Sequence, residues 1–231
     1  MSAFRSDDRE VHPPHRWPAY RSSALRAPLA PPVRWLHSPT EATGPGFGQD
    51  PPARREADLT AQHAGAPLGE RITVTGQLRD EDGRPLGGQR VELWQANAAG
   101  RYAHPSDRHD APLDPNFSGV GRCLSDAEGV YRFVTIKPGA YPWQNHANAW
   151  RPAHLHFSVF GPAFATRLVT QMYFPGDPLL AHDPIYLSVP EPARERLVAR
   201  LDWGATTPEW SLGYRFDLVL RGREATPRDA P

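Results

Sequence analysis

The sequence predicts an all-β protein, with an antiparallel β-sandwich core, long loops, a Pro-rich N-terminal arm and one short C-terminal helix. Segments 72–78 and 90–94 alternate apolar and polar residues, as half-buried strands do. The turn-forming residues 82–85 separate them. Comparable strands are predicted at 122–124, 130–133, 153–160, 167–173 and 213–220. Short strands with turn residues between them are typical of antiparallel sandwiches and barrels.

The two ends of the chain differ from this strand-rich part. Residues 1–68 are rich in proline, which removes a backbone donor and fixes φ, so long helices are not expected there. Such a segment is either a disordered tail or an arm that wraps another surface. Its aromatic residues Trp17, Tyr20 and Trp35 favour the arm, because disordered tails are poor in aromatics. Residues 69–231 form the predicted sandwich domain, and apolar residues at helical spacing predict its helix at 191–201.

The bulk composition excludes several classes of protein. Lys+Arg and Asp+Glu both number 26, so no basic excess indicates binding to nucleic acid or to an anionic membrane. No apolar run approaches the roughly 20 residues of a membrane helix, and the N-terminus shows no signal-peptide core. Cys123 is the only cysteine, is predicted to be a buried small residue, and fits a reducing compartment. A cytoplasmic protein is therefore predicted.

A His-x-His pair is the most informative motif. In a strand, residues two apart share a face, so Leu155 and Phe157 point to one side while His154 and His156 point to the other. Tyr102 and Tyr141 lie upstream, and Tyr102 to His156 spans only 55 residues. Phenolate is a hard anionic ligand and imidazole a borderline one. Two of each suit a hard trivalent ion, above all Fe(III).

Other interpretations of these residues stay open on the sequence alone. Strand histidines are often satisfied or exposed, and a lone tyrosine usually packs in a core. A cupin-type metal site also uses a His-x-His pair but expects a nearby carboxylate, and none follows His156 before Asp177. Arg151 could be a surface charge or part of a structural ion pair, or, if the site binds anions, it could balance them. A polar residue in a strand-like run, such as Gln171, usually lies on the solvent face.

Beyond single motifs, the chain resembles the intradiol ring-cleavage dioxygenases over nearly its whole length. The strongest match is 150–157, which contains the histidine pair. Similar stretches are 43–45, 69–72, 93–97, 100–102, 111–117, 119–123, 135–139, 141–143, 170–171, 174–178 and 214–217. His109 and the loop 146–149 differ from the family's pattern. The arm lacks the helical linker of the catechol 1,2-dioxygenases, which favours the protocatechuate-cleaving branch.

The resemblance implies a mononuclear, non-haem Fe(III), one per chain. Its ligands would be Tyr102, Tyr141, His154 and His156. By analogy with the family, Tyr141 is the ligand that leaves when substrate binds, and it then holds a substrate proton. The catalytic residues implied are thus Tyr141, Arg151 and Gln171, the last two lying beside the reacting ring.

The resemblance also implies substrate and partners. Dioxygen would cleave the ring of protocatechuate, a catechol with a carboxylate, to 3-carboxy-cis,cis-muconate. Tyr20 would contact that carboxylate, Trp143 would form a pocket wall, and Arg151 would face the substrate. A homologous, non-catalytic α subunit would complete an α/β hetero-oligomer, with the arm 1–68 wrapping the partner and the active site. The alternatives are cleavage of catechol or hydroxyquinol and, in another class, a non-catalytic β-sandwich binding subunit.

Overall fold

The computed structural model describes residues 10–31, 33, 56–144, 147, 150–161 and 167–229. Trp35, the 43–45 motif and most of the loop 146–149 fall outside the described residues. The strands of the described part are β1 (Arg71–Arg79), β2 (Arg90–Trp94), β3 (Val120–Leu124), β4 (Val130–Ile136), β5 (Tyr141–Pro142), β6 (Trp150–Arg151), β7 (His154–Phe160), β8 (Arg167–Tyr173), β9 (Arg200–Leu201), β10 (Leu212–Arg215) and β11 (Leu218–Val219).

Two sheets form the sandwich, so the predicted all-β fold is confirmed. One sheet is antiparallel, with the strand order β3-β2-β7-β8. In the other, β1 pairs antiparallel with β4 but parallel with β10 and β11, which departs from a purely antiparallel core. The predicted strand at 213–220 is divided because Phe216 and Asp217 lie between β10 and β11. A small third sheet pairs β5 with β6.

The hydrophobic core lies between the two large sheets. Leu155, Phe157 and Val159 of β7 are fully buried in one cluster with Val74 and Phe133 of the other sheet. Burial of each such side chain contributes about 1.5–3 kcal/mol, so the alternation of β7 fixes its register against the core. The opposite face of β7 therefore presents His154, His156 and their neighbours to whatever covers that sheet.

The helical segments of the described residues are short. They are α1 (Arg21–Arg26), α2 (Pro184–Ser188), α3 (Glu191–Arg194) and two 3₁₀ turns, Pro178–His182 and Glu195–Leu197. The helix predicted at 191–201 is thus shorter than expected: the chain forms a bridge to the end of β8 at Val198, and the Ala199 N–H donates to the Tyr173 carbonyl at 2.9 Å. Pairing with β8 replaces helical hydrogen bonds there. Across the described ranges, no helix has the length and apolarity needed to cross a membrane.

Candidate metal centre

The histidine pair lies where the alternation of β7 predicts. The rings of His154 and His156 are 4.8 Å apart between centroids, on the face of β7 opposite the core. His154 is only 2 % exposed. The indole of Trp94, the cross-strand partner of His156 on β2, stacks on the His156 imidazole at 4.9 Å and an interplanar angle of 3°. The stacking fixes the plane of that imidazole.

Both tyrosines reach the histidines. Tyr141 Oη lies 3.3 Å from His154 Nε2, and Tyr102 Oη lies 3.1 Å from His156 Nε2. The two phenol rings meet edge to face, 5.4 Å apart. Two phenol oxygens and two imidazole nitrogens from separate segments of the chain therefore converge on one place.

Local structure explains how Tyr102 and Tyr141 are presented. Tyr102 follows Gly100, whose φ of 77° favours glycine and whose added Cβ would lie 2.1 Å from a backbone oxygen of residue 140. The Tyr102 N–H then donates to Asp107 Oδ2 at 2.7 Å, which anchors the loop. Tyr141 belongs to the two-residue strand β5 and pairs with Arg151 of β6. Tyr141 is thus held by a small hairpin outside the two large sheets.

The electrostatics favour neutral imidazoles with free lone pairs. Burial, and then the nearby Arg151 charge, hold the pKa of His154 well below its ordinary value. Burial, His154 and Arg151 do the same for the pKa of His156. His154 Nδ1 lies 2.7 Å from the Pro152 carbonyl, to which it donates, so Nε2 keeps the lone pair that faces the tyrosines. Neutral imidazole is the form that binds metals.

The Tyr102 phenol needs a nearby cation to ionise. Burial and the neighbouring Tyr141 raise the pKa of Tyr102 well above 10. A bound metal ion reverses this, because its charge stabilises the phenolate. Donors of two oxygens and two nitrogens therefore fit a hard trivalent ion such as Fe(III). His, Cys, Asp and Glu alone form no group of three or more that could hold a metal in the described residues, so a metal bound at this cluster would need the tyrosines.

The second ring nitrogen of His156 differs from that of His154. His156 Nδ1 is buried, and it finds no hydrogen-bond partner in the part of the chain that the structure describes. Stacking on the Trp94 indole orients the His156 imidazole instead. The usual arrangement, in which the second nitrogen donates to an acceptor, holds here for His154 only.

Arg151 borders the cluster and is buried in a network of acceptors. Its Nη1 lies 3.1 Å from His154 Nε2, and the Trp143 ring lies 5.2 Å from its Cζ. Its Nε and Nη2 donate to the two carboxylate oxygens of Asp183 at 3.2 and 2.8 Å. Nη2 also donates to Gln171 Oε1 at 2.6 Å. Arg151 is therefore a fixed, buried cation, and the interpretation as a surface charge is wrong.

Gln171 is also buried, although a polar residue in such a strand usually faces solvent. It is 2 % exposed because the C-terminal segment covers β8. Gln171 Nε2 lies 2.8 Å from both carboxylate oxygens of Asp229 in that segment. The Asp229 N–H donates to the Val169 carbonyl at 2.7 Å.

Tyr20 of the N-terminal arm packs near the same cluster. Its ring centroid is 5.1 Å from that of Trp143, and Tyr20 is only 6 % exposed. Arg26 Nη2 donates to Tyr20 Oη at 2.6 Å, and Arg21 donates to the Gln144 carbonyl. A tyrosine hydroxyl and an arginine thus lie together beside Trp143. His109, by contrast, packs edge-on against Trp150 at 6.3 Å.

Three residues of this network were not singled out from the sequence. Asp183 and Tyr173 bind Arg151, and Asp229 binds Gln171. Asp183 directly precedes Pro184 at the start of α2, but its side chain makes no capping hydrogen bond there, so its local sequence does not indicate its role. Their roles depend on long-range contacts.

The histidine environment predicts a pH-dependent stability for the protein prepared without metal. Because folding lowers the pKa of His154 and of His156, the unfolded chain binds more protons below about pH 6.5. The contribution of the two histidines to the free energy of unfolding should therefore be fully present above that pH. It should fall as the pH decreases, by up to about 2.7 kcal/mol per pH unit for two histidines. Urea unfolding at pH 7.5 and 5.5 measures this. A His154→Gln variant should lose about half of the slope, whereas the exposed-site variant His63→Gln should keep it.

With the geometry in place, comparison with known proteins identifies the class. Residues 42–222 match the Dioxygenase family. The chain belongs to that family of intradiol ring-cleaving dioxygenases, which implies a non-haem iron cofactor. More particularly, residues 4–35 match the N-terminal segment of the protocatechuate 3,4-dioxygenase beta subunit.

Individual relatives agree with this assignment. The chain is 57 % identical to the protocatechuate 3,4-dioxygenase beta chain of Burkholderia cepacia, covering 94 % of both chains. It is 29 % identical to the alpha chain of that organism, covering 82 % of this chain and 94 % of the relative. Among solved structures, the dioxygenase domain of a carbohydrate-binding fusion protein from Streptomyces sp. SirexAA-E superposes with a TM-score of 0.53, at 27 % identity, over 77 % of this chain and 94 % of that domain.

Proposed function

We propose that this chain is the iron-binding, catalytic subunit of an enzyme that cleaves protocatechuate with O2 to 3-carboxy-cis,cis-muconate. The observation that carries the proposal is the convergence of Tyr102, Tyr141, His154 and His156 beside the buried cation of Arg151. The similarity to a protocatechuate 3,4-dioxygenase beta chain supports this substrate over other catechols.

In this proposal, the four side chains hold one Fe(III) per chain. When bound, ferric iron would draw electron density from a catecholate ring and make the ring reactive toward O2. The protein supplies charge and orientation. Arg151 would stabilise negative charge that develops on the ring, because its cation is preorganised by Asp183. Trp143, which lies under the Arg151 guanidinium, would form one wall of the substrate pocket.

Tyr141 is the better candidate for the phenolate that accepts a substrate proton. Tyr102 is tied through its backbone to Asp107, whereas Tyr141 is carried by the two-residue strand β5. In this proposal, Tyr141 is the ligand that moves its Oη away from His154 as the diol binds. The released phenolate can then accept and hold a proton of the substrate. Tyr141 thus combines metal binding with the role of general base.

Replacement of Tyr141 with phenylalanine tests this role. We expect the variant to keep most of its iron, because three ligands remain, but to lose roughly 10²–10⁴-fold in kcat/KM with the general base. The measurement combines metal analysis, oxygen uptake and anaerobic stopped-flow binding of protocatechuate. Tyr186→Phe is the control, since Tyr186 packs against Tyr173 outside the ligand set. Normal turnover by Tyr141→Phe would show that Tyr141 is not the base.

The N-terminal arm supplies a reason for a carboxylated substrate. Tyr20 Oη and the Arg26 guanidinium form a hydroxyl and cation pair that suits a carboxylate. Arg21 lies on the same helix and contacts the backbone next to Trp143. We infer that this pair recognises the protocatechuate carboxylate. Catechol and hydroxyquinol have no such group.

Removal of the Tyr20 hydroxyl should therefore affect one substrate selectively. In Tyr20→Phe the ring still packs on Trp143, so the fold of the arm should be preserved. Loss of a hydrogen bond to a charged group should raise KM for protocatechuate about tenfold and leave KM for catechol unchanged. Steady-state oxygen uptake with both substrates measures the difference. An equal rise for both would place Tyr20 outside carboxylate recognition.

The relatives also support a partner of similar fold. We propose an α/β hetero-oligomer, in which the arm over 1–68 wraps a homologous, non-catalytic α subunit and the active site. The similarity to both chains of the Burkholderia cepacia enzyme supports this assembly. A non-catalytic role for the present chain is disfavoured by its complete set of four donors.

Oxygen uptake tests the function as a whole. The chain, co-expressed with its α partner and supplied with iron, should consume O2 with protocatechuate faster than with catechol or hydroxyquinol. Concentrated protein should be red-brown, because tyrosinate-to-Fe(III) charge transfer absorbs visible light. Preference for catechol or hydroxyquinol would favour the alternative substrates. Protein that binds iron but stays colourless would contradict phenolate ligation.

A further inference from the structure

We propose that Asp229, in the C-terminal segment, is a positioning residue that controls Arg151 through Gln171. The proposal rests on the function proposed above and adds a residue to its site. Asp229 does not touch the ligand cluster. It acts on the side-chain amide of Gln171, which joins it to Arg151.

The side chain of Gln171 has its two ends fully committed. Its Oε1 accepts from Arg151 Nη2 at 2.6 Å and from Tyr173 Oη at 3.0 Å. Its Nε2 donates to the Asp229 carboxylate, with both oxygens at 2.8 Å. A carboxylate accepts and never donates when ionised, so Asp229 permits only the amide nitrogen of Gln171 on its side. The carbonyl oxygen is thereby aimed at Arg151.

This orientation matters because a reversed amide would present N–H groups to a guanidinium. Arg151 has donors only, so a flipped Gln171 would leave Nη2 without one acceptor in a buried site. Arg151 is 2 % exposed, and Asp183 and Tyr173 would then be its remaining acceptors around Nη2. The guanidinium would then shift toward Asp183 and Tyr173 and away from His154, which its Nη1 now contacts.

The C-terminal segment is docked firmly enough to impose this geometry. Thr170 Oγ1 donates to the Pro227 carbonyl at 2.6 Å, and the Asp229 N–H donates to Val169 at 2.7 Å. The Arg228 N–H donates to His12 Nδ1 of the N-terminal arm at 3.2 Å. Residue 12 of the arm and residues 227–229 therefore meet beside β8, and they cover part of the edge of its sheet.

The proposal gives Gln171 a structural role between Asp229 and Arg151. The carbonyl oxygen of Gln171 meets Arg151 and its amide nitrogen meets Asp229, so we assign Gln171 to orienting Arg151. Loss of the Asp229 charge should then reduce kcat, because Arg151 acts as charge develops, with little effect on KM.

A double-mutant cycle tests the proposal in the iron-loaded α/β complex. Asp229→Asn should lower kcat roughly tenfold for one lost charge-assisted hydrogen bond, with KM changed less than twofold. In a Gln171→Ala background, the same Asp229 substitution should have no further effect, because the connection to Arg151 is already broken. Glu224→Gln is the matched control, since Glu224 also lies in the C-terminal segment but pairs with Arg196 at the surface. It should retain full activity.

A second measurement separates this proposal from the function itself. The melting temperature of protein prepared without iron should fall by several degrees in Asp229→Asn and in Gln171→Ala, with a non-additive loss in the double variant. The variants could show this coupling while the wild-type complex takes up no oxygen with protocatechuate. That result would overturn the proposed function but keep the connection between Asp229 and Gln171. Additive losses in kcat and melting temperature, or unchanged kcat in Asp229→Asn, would overturn the positioning role.

Discussion

Replacement of His154 with alanine is expected to remove iron and to reduce oxygen uptake to background. His154 is the most enclosed of the four proposed ligands: its Nε2 lies beside Tyr141 Oη and Arg151 Nη1, and its Nδ1 is held by Pro152. Loss of an outer partner of a ligand typically weakens a metal site 10–100-fold, so loss of a ligand should weaken it more. The Arg151 guanidinium would also face the vacated space and lose the Nε2 acceptor that lies 3.1 Å from its Nη1.

The measurement is iron content per chain together with the visible absorption of the purified complex. His63→Ala provides the control, because His63 is exposed and its Nε2 lies 2.7 Å from Ser118 Oγ. This variant should keep the wild-type iron content and visible absorption. Because His154 is buried, His154→Gln should be examined as well, since it fills more of the space and keeps the fold. Full iron occupancy and wild-type colour in both His154 variants would exclude His154 as a ligand.

Local sequence was sufficient wherever the alternation of a single strand decides the outcome. In β7, burial of Leu155 and Phe157 in the core forces the two histidines onto the other face, as predicted. The burial of Cys123 in the core follows the same rule on β3. The two tyrosines could not be placed beside the histidines by any local rule. They were placed by resemblance to a family, and the structure brings all four together.

Tertiary contacts decided what the sequence did not predict. The helix at 191–201 ends early because backbone groups near Val198 pair with the end of β8 instead. Gln171 is buried because the C-terminal segment, more than fifty positions away in the sequence, covers its face. Asp183 lies 32 positions from Arg151, and nothing near either residue indicates that they meet. Long-range pairing of polar groups leaves no periodic pattern to read.

That buried pair gives the second large effect. Asp183→Ala should destabilise the protein by about 3–5 kcal/mol, because it leaves the Arg151 guanidinium buried without its anion. The two side chains are 2 % and 0 % exposed, and the carboxylate binds the guanidinium through both oxygens. Activity should fall with stability, since an unpaired Arg151 is free to turn toward Gln171 and away from the ligand cluster. Chemical denaturation at pH 7 measures the first effect, and oxygen uptake below the melting temperature measures the second.

The pH dependence of that loss is also fixed in sign. Burial raises the pKa of Asp183, but the charge and hydrogen bonds of Arg151 outweigh it and hold the pKa below its ordinary value. The contribution of Asp183 is therefore complete above about pH 4 and is lost as the pH falls below that value. Wild type and Asp183→Ala should converge in stability only in strongly acidic solution. A constant difference at all pH values would indicate lost packing rather than a lost charge pair.

Replacing both Arg151 and Asp183 separates the effect of the pair on stability from the effect of the Arg151 charge on activity. Breaking a buried ion pair is costly because one charge stays behind, whereas apolar side chains of similar volume at both positions are often neutral or stabilising. The double variant Arg151→Met with Asp183→Leu should therefore be more stable than Asp183→Ala, by at least about 2 kcal/mol. It should nevertheless have no more activity, since the cation beside His154 is gone. A double variant as unstable as Asp183→Ala would mean that the pair maintains the fold, and an active one would mean that catalysis does not need Arg151.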